Sequence, residues 1–166
     1  FDQSIEGFQS NVFSGTGFNL VNAGKESHKG IELDTMFALS ENLMAKVSAM
    51  SLDPLYDSFK LGTCDTTGLA EPQYACPDGE INVDYSGLTP AGVHKLSANA
   101  NIVYSFSLAN SLDGFFRLEY VYNDLVPVQD LIPQSIAERS FKNVNASLGF
   151  DSGDWSLMLW GRNMTN

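Results

Sequence analysis

The chain has 166 residues, enough for one domain with a sizeable core, and 43% of them are hydrophobic. Its formal net charge of −11 disfavours binding to the phosphates of nucleic acids and is mainly a source of solubility. No run of about 18 apolar residues is present, which excludes a transmembrane helix but not a membrane barrel, whose strands carry apolar residues at every second position.

Apolar and polar residues alternate with a period of two in several segments that are bounded by turn-forming residues. This pattern predicts an all-β fold of about seven antiparallel strands in meander order, the second of them bent or split near Gly24. The predicted strands are 3–13, 17–39, 43–56, 92–108, 114–124, 140–151 and 154–163.

The alternation is clearest in the fourth and sixth predicted strands. One face of the fourth carries Leu96, Ala98, Ala100, Ile102, Tyr104 and Phe106, and the other carries Ser97, Asn99, Asn101 and Ser105. Small neutral Asn and Ser suit a water-filled lumen, whereas the outer face of a soluble sandwich usually carries Lys, Glu and Thr. Alternation also occurs in sandwiches, so that alternative stays open at this point.

The sixth and last predicted strands follow the same rule. Val144, Ala146, Leu148 and Phe150 alternate with Asn143, Asn145, Ser147 and Gly149. Trp155, Leu157 and Leu159 alternate with Ser156, Met158 and Trp160, so the two tryptophans can report contact with lipid. If the polar faces line a lumen, the lumen-facing candidates are Asn99, Asn101, Asn143, Asn145, Arg117 and Glu119.

The connections are of two kinds. Tight turns are predicted at 40–42, 110–114 and 151–154, and long loops at 57–90 and 124–140. In a meander this order places the short connections at one end of the sheet and the long loops at the other. Outer-membrane barrels have this layout, with short periplasmic turns and longer external loops. We therefore expect an arc of a transmembrane β-barrel.

Two segments resemble a known family. Segment 22–34 (NAGKESHKGIELD) is similar to the N-A-x-K-x-x-x-K-G-[IV]-E-[LV] strand of TonB-dependent receptor barrels. Segment 144–166 resembles their W-x-L-x-L-W-G-R-N-L-T-N stretch, which precedes the final strands. The order of hairpins and long loops also agrees, so the resemblance covers essentially the whole chain, as the carboxy-terminal part of the barrel.

The resemblance implies a bacterial outer-membrane barrel of about 22 strands, closed by an amino-terminal plug. Such receptors import scarce ligands (ferric siderophores, haem, cobalamin or oligosaccharides) with energy relayed by TonB. The expected partners are outer-membrane lipid, TonB through the plug, and a small ligand such as a ferric siderophore. Residues 1–166 start without a signal peptide and carry no plug, TonB box or terminal aromatic strand, so we expect a partial barrel and assign transport to a parent protein.

Cys64 and Cys76 lie close together in the longest predicted loop. In an exported protein this spacing predicts a disulfide that pins the loop. A zinc site is disfavoured because neither His28 nor His94 is near in sequence. The same loop is rich in acidic residues without the spacing of a calcium loop, which favours solvated charge over a metal site.

No catalytic or cofactor-binding residues are predicted, and the chain is not expected to be an enzyme. Asp113 with Glu119, or Glu32 with Asp34, could form acid–base pairs, but charges that line a lumen and pair across strands are the favoured interpretation. The main alternative is a secreted β-sandwich that binds carbohydrate, such as a lectin. A β-rich hydrolase is a weaker alternative.

Overall fold

A computed structural model describes residues 1–13, 16–108, 111–131 and 138–165. In this part of the chain no helix is long and apolar enough to cross a membrane. A single 3-10 turn, Pro72–Tyr74, is the only helical element described. The strands are β1 (Asp2–Phe13), β2 (Phe18–Ala38), β3 (Leu43–Ser58), β4 (Gly62–Thr63), β5 (Asn82–Val83), β6 (Leu96–Leu108), β7 (Leu112–Pro127), β8 (Glu138–Asp151) and β9 (Ser156–Gly161).

Seven strands form one antiparallel meander in the order β1-β2-β3-β6-β7-β8-β9. Within the described residues this sheet is open, with β1 and β9 at its edges. The all-β class, the seven strands and their order are therefore confirmed. The strands β4 and β5, which pair with each other in the long loop between β3 and β6, were not predicted.

The first hairpin is irregular where the sequence predicts a bend. A bend or a split near Gly24 was predicted, and because β2 is continuous through Gly24, the split does not occur. The irregularity lies in β1, whose register shifts on both sides of Phe8, the partner of Gly24. Gly24 has φ 106°, and a Cβ there would lie 2.5 Å from the carbonyl oxygen of Ser58. Only glycine satisfies both conditions without strain.

The connections follow the predicted layout with one exception. The tight connections 39–42, 109–111 and 152–155 alternate along the chain with the long ones, 59–95 and 128–137. Since the sheet is an antiparallel meander, the tight connections share one end and the long ones the other. The connection from β1 to β2, at residues 14–17, belongs to the long-loop end although it is short.

The chain divides into two compact units. Unit 1 comprises Phe1–Ile31, Ser51–Lys95 and Leu125–Arg139, and unit 2 comprises Glu32–Met50, Leu96–Asp124 and Ser140–Asn166. Among the described residues, every buried hydrophobic residue belongs to unit 1: Val12, Tyr56, Phe59, Cys64, Tyr74, Tyr85 and Val126. The sheet of unit 2 therefore has no buried hydrophobic side chain among the residues that the structure describes.

Candidate functional site

Two neighbouring positions at the centre of the unit 2 sheet have exposure opposite to that of a soluble sheet. Ile102 pairs with Leu118 and Asn101 pairs with Glu119 across β6 and β7, so each pair shares a face. Ile102 is 42% exposed, whereas Asn101 is only 8% exposed. In a soluble sheet the apolar residue would be covered and the amide would face water.

We call the exposed side of unit 2 the apolar face. Eight of its large side chains are exposed, from 38% at Leu118 to 57% at Leu159, and cross-strand pairing places them on the same side of the sheet. Phe106 and Phe150 also meet on this side, with ring centroids 6.1 Å apart. The apolar face comprises Leu96, Ile102 and Tyr104 of β6, Phe116, Leu118 and Tyr120 of β7, and Leu157 and Leu159 of β9.

On the opposite side, which we call the polar face, Glu119 is the centre of a hydrogen-bond network. Asn99 Nδ2 donates to Glu119 Oε1 at 3.2 Å, and Asn145 Nδ2 donates to Oε2 at 2.9 Å. Asn145 Oδ1 in turn accepts from the backbone N–H of Asn163 at 3.1 Å. One carboxylate thus joins β6, β7 and β8, and Asn145 extends the network beyond β9.

Arg117 and Asp34 each form further contacts on the polar face. With the Asn101 amide oriented to satisfy both groups, its oxygen accepts from Arg117 Nε at 2.8 Å and Nη2 at 3.1 Å. Asp34 contacts Lys46 Nζ at 3.4 Å and accepts from Ser48 Oγ, also at 3.4 Å. Pairing of mid-strand charges across strands is what the sequence predicts for Asp34.

Five of the six lumen-facing candidates meet in these contacts: Asn99, Asn101, Arg117, Glu119 and Asn145. The sixth, Asn143, is not part of the network, and its Oδ1 is buried without a hydrogen-bond partner among the described atoms. The carboxylates considered as an acid–base pair have separate partners, since Asp113 accepts from Ser107 Oγ at 2.6 Å.

Trp160 also belongs to the polar face. It pairs with Ser147 across β8 and β9, and the Arg162 guanidinium lies 5.1 Å from the centroid of its ring. Its neighbour Leu159 pairs with Leu148 and projects to the apolar face. Leu159 is therefore the better position from which to probe contact with lipid.

No protein-family model matches the chain, and no curated protein sequence matches it significantly.

In unit 1 the predicted disulfide is confirmed. Cys64 and Cys76 are bonded across a sequence separation of 12. Next to the bridge, the Asp65 N–H donates to the Tyr74 carbonyl at 2.7 Å, so the two arms of the loop are also joined by backbone. The disulfide therefore closes a compact loop inside the longest connection.

Asp65, one of the acidic residues of this loop, has a structural role. Its carboxylate accepts from Thr67 Oγ1 at 2.6 Å and from the Ala70 N–H at 2.9 Å. These hydrogen bonds, led by the one from the Thr67 hydroxyl, lower the pKa of Asp65 to about 2. Within the described residues no group of three or more His, Cys, Asp or Glu side chains is placed to hold a metal ion.

An aromatic cluster, which sequence reasoning missed, forms the core of unit 1. Tyr85 lies 5.1 Å from both Phe59 and Tyr74, measured between ring centroids, and Phe59 lies 5.1 Å from Tyr56. These contacts are edge-to-face, the arrangement that aromatic rings favour. The Tyr85 ring also covers Gly62, where a Cβ would lie 2.5 Å from it.

Polar groups buried beside this cluster were also missed. Glu26 and Ser27 of β2 are buried; Glu26 contacts His28 Nε2 at 2.7 Å, and Ser27 donates to Asp57 at 2.8 Å. A clue was available in the sequence, since the charged run Lys25–Lys29 interrupts the alternation expected of a strand. Each of these buried groups has a partner, so they stabilise the loop end of β2.

Asp130 ties the two long connections of unit 1 together. Its Oδ1 accepts from the Ala91 N–H at 3.0 Å, and the Gly92 N–H donates to the Pro127 carbonyl at 2.9 Å. Burial, together with the nearby Glu26 carboxylate, raises the pKa of Asp130, and the Ala91 hydrogen bond offsets only part of this effect.

The variant Asp130→Asn is expected to be more stable than the wild type at pH 7. A carboxyl group whose folded-state pKa is raised contributes stability below its unfolded pKa and loses that contribution as the pH rises through the folded value. Asparagine keeps an acceptor for Ala91 without a buried charge. Denaturant unfolding at pH 7 and at pH 3 tests this, because the difference between the two proteins should shrink at pH 3. Equal differences at both pH values would contradict it.

Proposed function

We propose that the chain is part of the β-barrel of a TonB-dependent outer-membrane receptor that imports scarce ligands. The observation that carries the proposal is the reversed polarity of unit 2, in which Ile102 is exposed and Asn101 is buried. A sheet with this polarity is stable where hydrocarbon contacts its apolar face and enclosed water contacts its polar face. The outer membrane of bacteria offers that environment.

The composition of the polar face supports a lumen. A strand surface at the lipid side could not carry Glu119, Arg117 or Lys46, because each buried charge in hydrocarbon costs several kcal/mol. Here these charges are partnered by amides or by an opposite charge across strands. The network therefore fits a strand surface that lines a water-filled lumen, and its contacts hold neighbouring strands together.

The alternative, a secreted carbohydrate-binding sandwich, requires a second layer over the apolar face. The other sheet in the described part of the chain is β4 with β5, two residues each, and it belongs to unit 1. Nothing in the described ranges of unit 2 offers an apolar surface to cover Leu118 or Leu159. The observed polarity favours the barrel.

The long loops supply the second half of the proposed function. In such a receptor the connections 59–95 and 128–137 face the outside and make the first contact with the ligand. The loop described in unit 1 is held by a disulfide and by an aromatic core, so it presents a defined surface.

Tryptophan quenching by lipids brominated on their acyl chains tests the lipid contact. Trp155→Phe leaves Trp160 as the one tryptophan, since the chain has two. Adding Trp160→Phe and Leu159→Trp moves the probe by one residue along β9 and onto the opposite face. In lipid vesicles, we expect strong quenching of the probe at position 159 and weak quenching at Trp160.

The two probes control for each other because they lie at almost the same height in the same strand. Equal, weak quenching at both positions in vesicles that contain the folded protein would contradict a lipid-facing surface. Strong quenching at both would contradict an enclosed polar face. Transport is tested separately: cells that lack the gene should lose uptake of one such ligand, and wild-type uptake should require TonB.

A further inference from the structure

A cavity of about 350 Å³ opens on the polar face of unit 2. Its walls include side chains from β7, β8 and β9 and from the residue that follows β9. The lining residues with charged, amide or aromatic side chains are Arg117, Glu119, Asn145, Trp160 and Arg162. The volume falls in the range of about 300–1,000 Å³ that is typical of small-molecule sites.

Some hydrogen-bonding groups in this cavity already have partners within the protein, and others do not. Both oxygens of Glu119 already accept from Asn99 and Asn145. Arg117 uses Nε and Nη2 on Asn101, which leaves Nη1 for another acceptor. Arg162 lies over the Trp160 ring, which leaves its N–H groups, in the plane of the guanidinium, for further acceptors. The charged donors that remain in the cavity are thus the two guanidinium groups.

The two arginines are unusual in this chain. Acidic residues outnumber Lys and Arg by 20 to 9. Even so, neither Arg117 nor Arg162 is among the ion pairs within 4.0 Å that the described residues form. The Glu119 carboxylate in the same cavity interacts electrostatically with both guanidinium groups, so it offsets one of their two positive charges. The remaining positive charge is available to an external anion.

We propose that this cavity is an oxyanion-binding site, in which Arg117 and Arg162 bind a carboxylate or phosphate group of a small ligand. Guanidinium groups match the geometry of both oxyanions, and such charge-assisted hydrogen bonds are about twice as strong as neutral ones. Trp160 forms an apolar wall beside the anion, and Asn145 and Ser147 offer polar groups to the remainder of the ligand. Glu119 holds the site in shape through the hydrogen bonds that it accepts from Asn99 and Asn145.

The test uses citrate and inorganic phosphate as probes on the membrane-reconstituted protein. Isothermal titration calorimetry measures affinity, and the emission of Trp160 in the Trp155→Phe variant reports occupancy next to Arg162. We expect saturable binding of at least one probe. Arg117→Gln and Arg162→Gln should each weaken that binding by about tenfold or more, the usual consequence of losing a charge-assisted hydrogen bond.

Arg139→Gln is the matched control, because it removes the same charge from an exposed position in unit 1. It should leave the affinity unchanged. Arg117→Lys retains the charge without the forked geometry and should lose less than Arg117→Gln, which separates binding from a folding defect. Absence of saturable binding of both probes would overturn the proposal, as would an equal loss in Arg139→Gln. Lipid quenching at position 159 does not depend on this result, so the barrel proposal and the oxyanion site can fail separately.

Discussion

Replacing Ile102 with lysine is expected to lower the free energy of unfolding of the bilayer-inserted protein by about 2–4 kcal/mol. Ile102 lies on the apolar face near the middle of β6, and it is 42% exposed in the isolated chain. If hydrocarbon surrounds that face, the ammonium group has to be moved out of water. In a soluble protein the same exposed position would tolerate lysine with a change of about 0.5 kcal/mol or less.

The adjacent Val103 provides the control. It is also apolar and in the same strand, but it pairs with Arg117 and so belongs to the polar face. Val103→Lys should therefore cost clearly less than Ile102→Lys when both are measured by reversible denaturant unfolding from lipid vesicles. Equal costs would show that the two faces do not differ in their contact with hydrocarbon, and a larger cost at position 103 would show that they are assigned the wrong way round.

Replacing both cysteines, in Cys64→Ser/Cys76→Ser, is expected to destabilise the loop of unit 1 by about 3 kcal/mol. The bridge closes a short loop and restricts the unfolded chain more than the folded one, in which Asp65 and Tyr74 are already joined by a backbone hydrogen bond. Limited proteolysis of folded protein should show faster cleavage within residues 59–95 of the variant.

A reducing agent separates the effect of the bridge from that of the substituted side chains. Wild-type protein treated with dithiothreitol should become as sensitive to protease as the double variant, whereas the variant itself should not respond. If reduction leaves the cleavage rate of the wild type unchanged, the aromatic cluster alone holds the loop. Tyr85 and Phe59 would then be the side chains to replace.

The strands of unit 2 were predictable because their periodicity is a local property. In 92–108 the alternation of apolar residues with Asn and Ser identified both faces of β6 before any neighbour was known. The predicted start at residue 92 was too early: Gly92 has φ 80° and donates to the Pro127 carbonyl, so β6 begins at Leu96. That contact joins distant parts of the chain and leaves no local pattern.

The interior of unit 1 was not predictable for the same reason. β4 and β5 contain two residues each, too few for periodicity to show. Their pairing depends on Tyr85 covering Gly62, a contact between residues far apart in sequence. The disulfide could be predicted because two cysteines in one loop leave one pairing, whereas the four aromatic rings of the cluster allow many arrangements.

The polar face contains some features that could be predicted from the sequence and others that could not. Asn99, Asn101 and Asn145 could be assigned to it from alternation alone. Alternation could not show that Asn143 stays outside the network, because this depends on which amides reach Glu119. Nor could it show that Arg117 and Arg162 share a cavity, since Arg162 follows the end of β9.

The aromatic core of the loops has a consequence for molecular recognition. Because Tyr56, Phe59, Tyr74 and Tyr85 pack against one another, the loop surface of unit 1 is ordered by its own side chains. A ligand that bound to this surface would cost little chain entropy, so association would need no slow ordering step, and its heat-capacity change would reflect mainly the area covered.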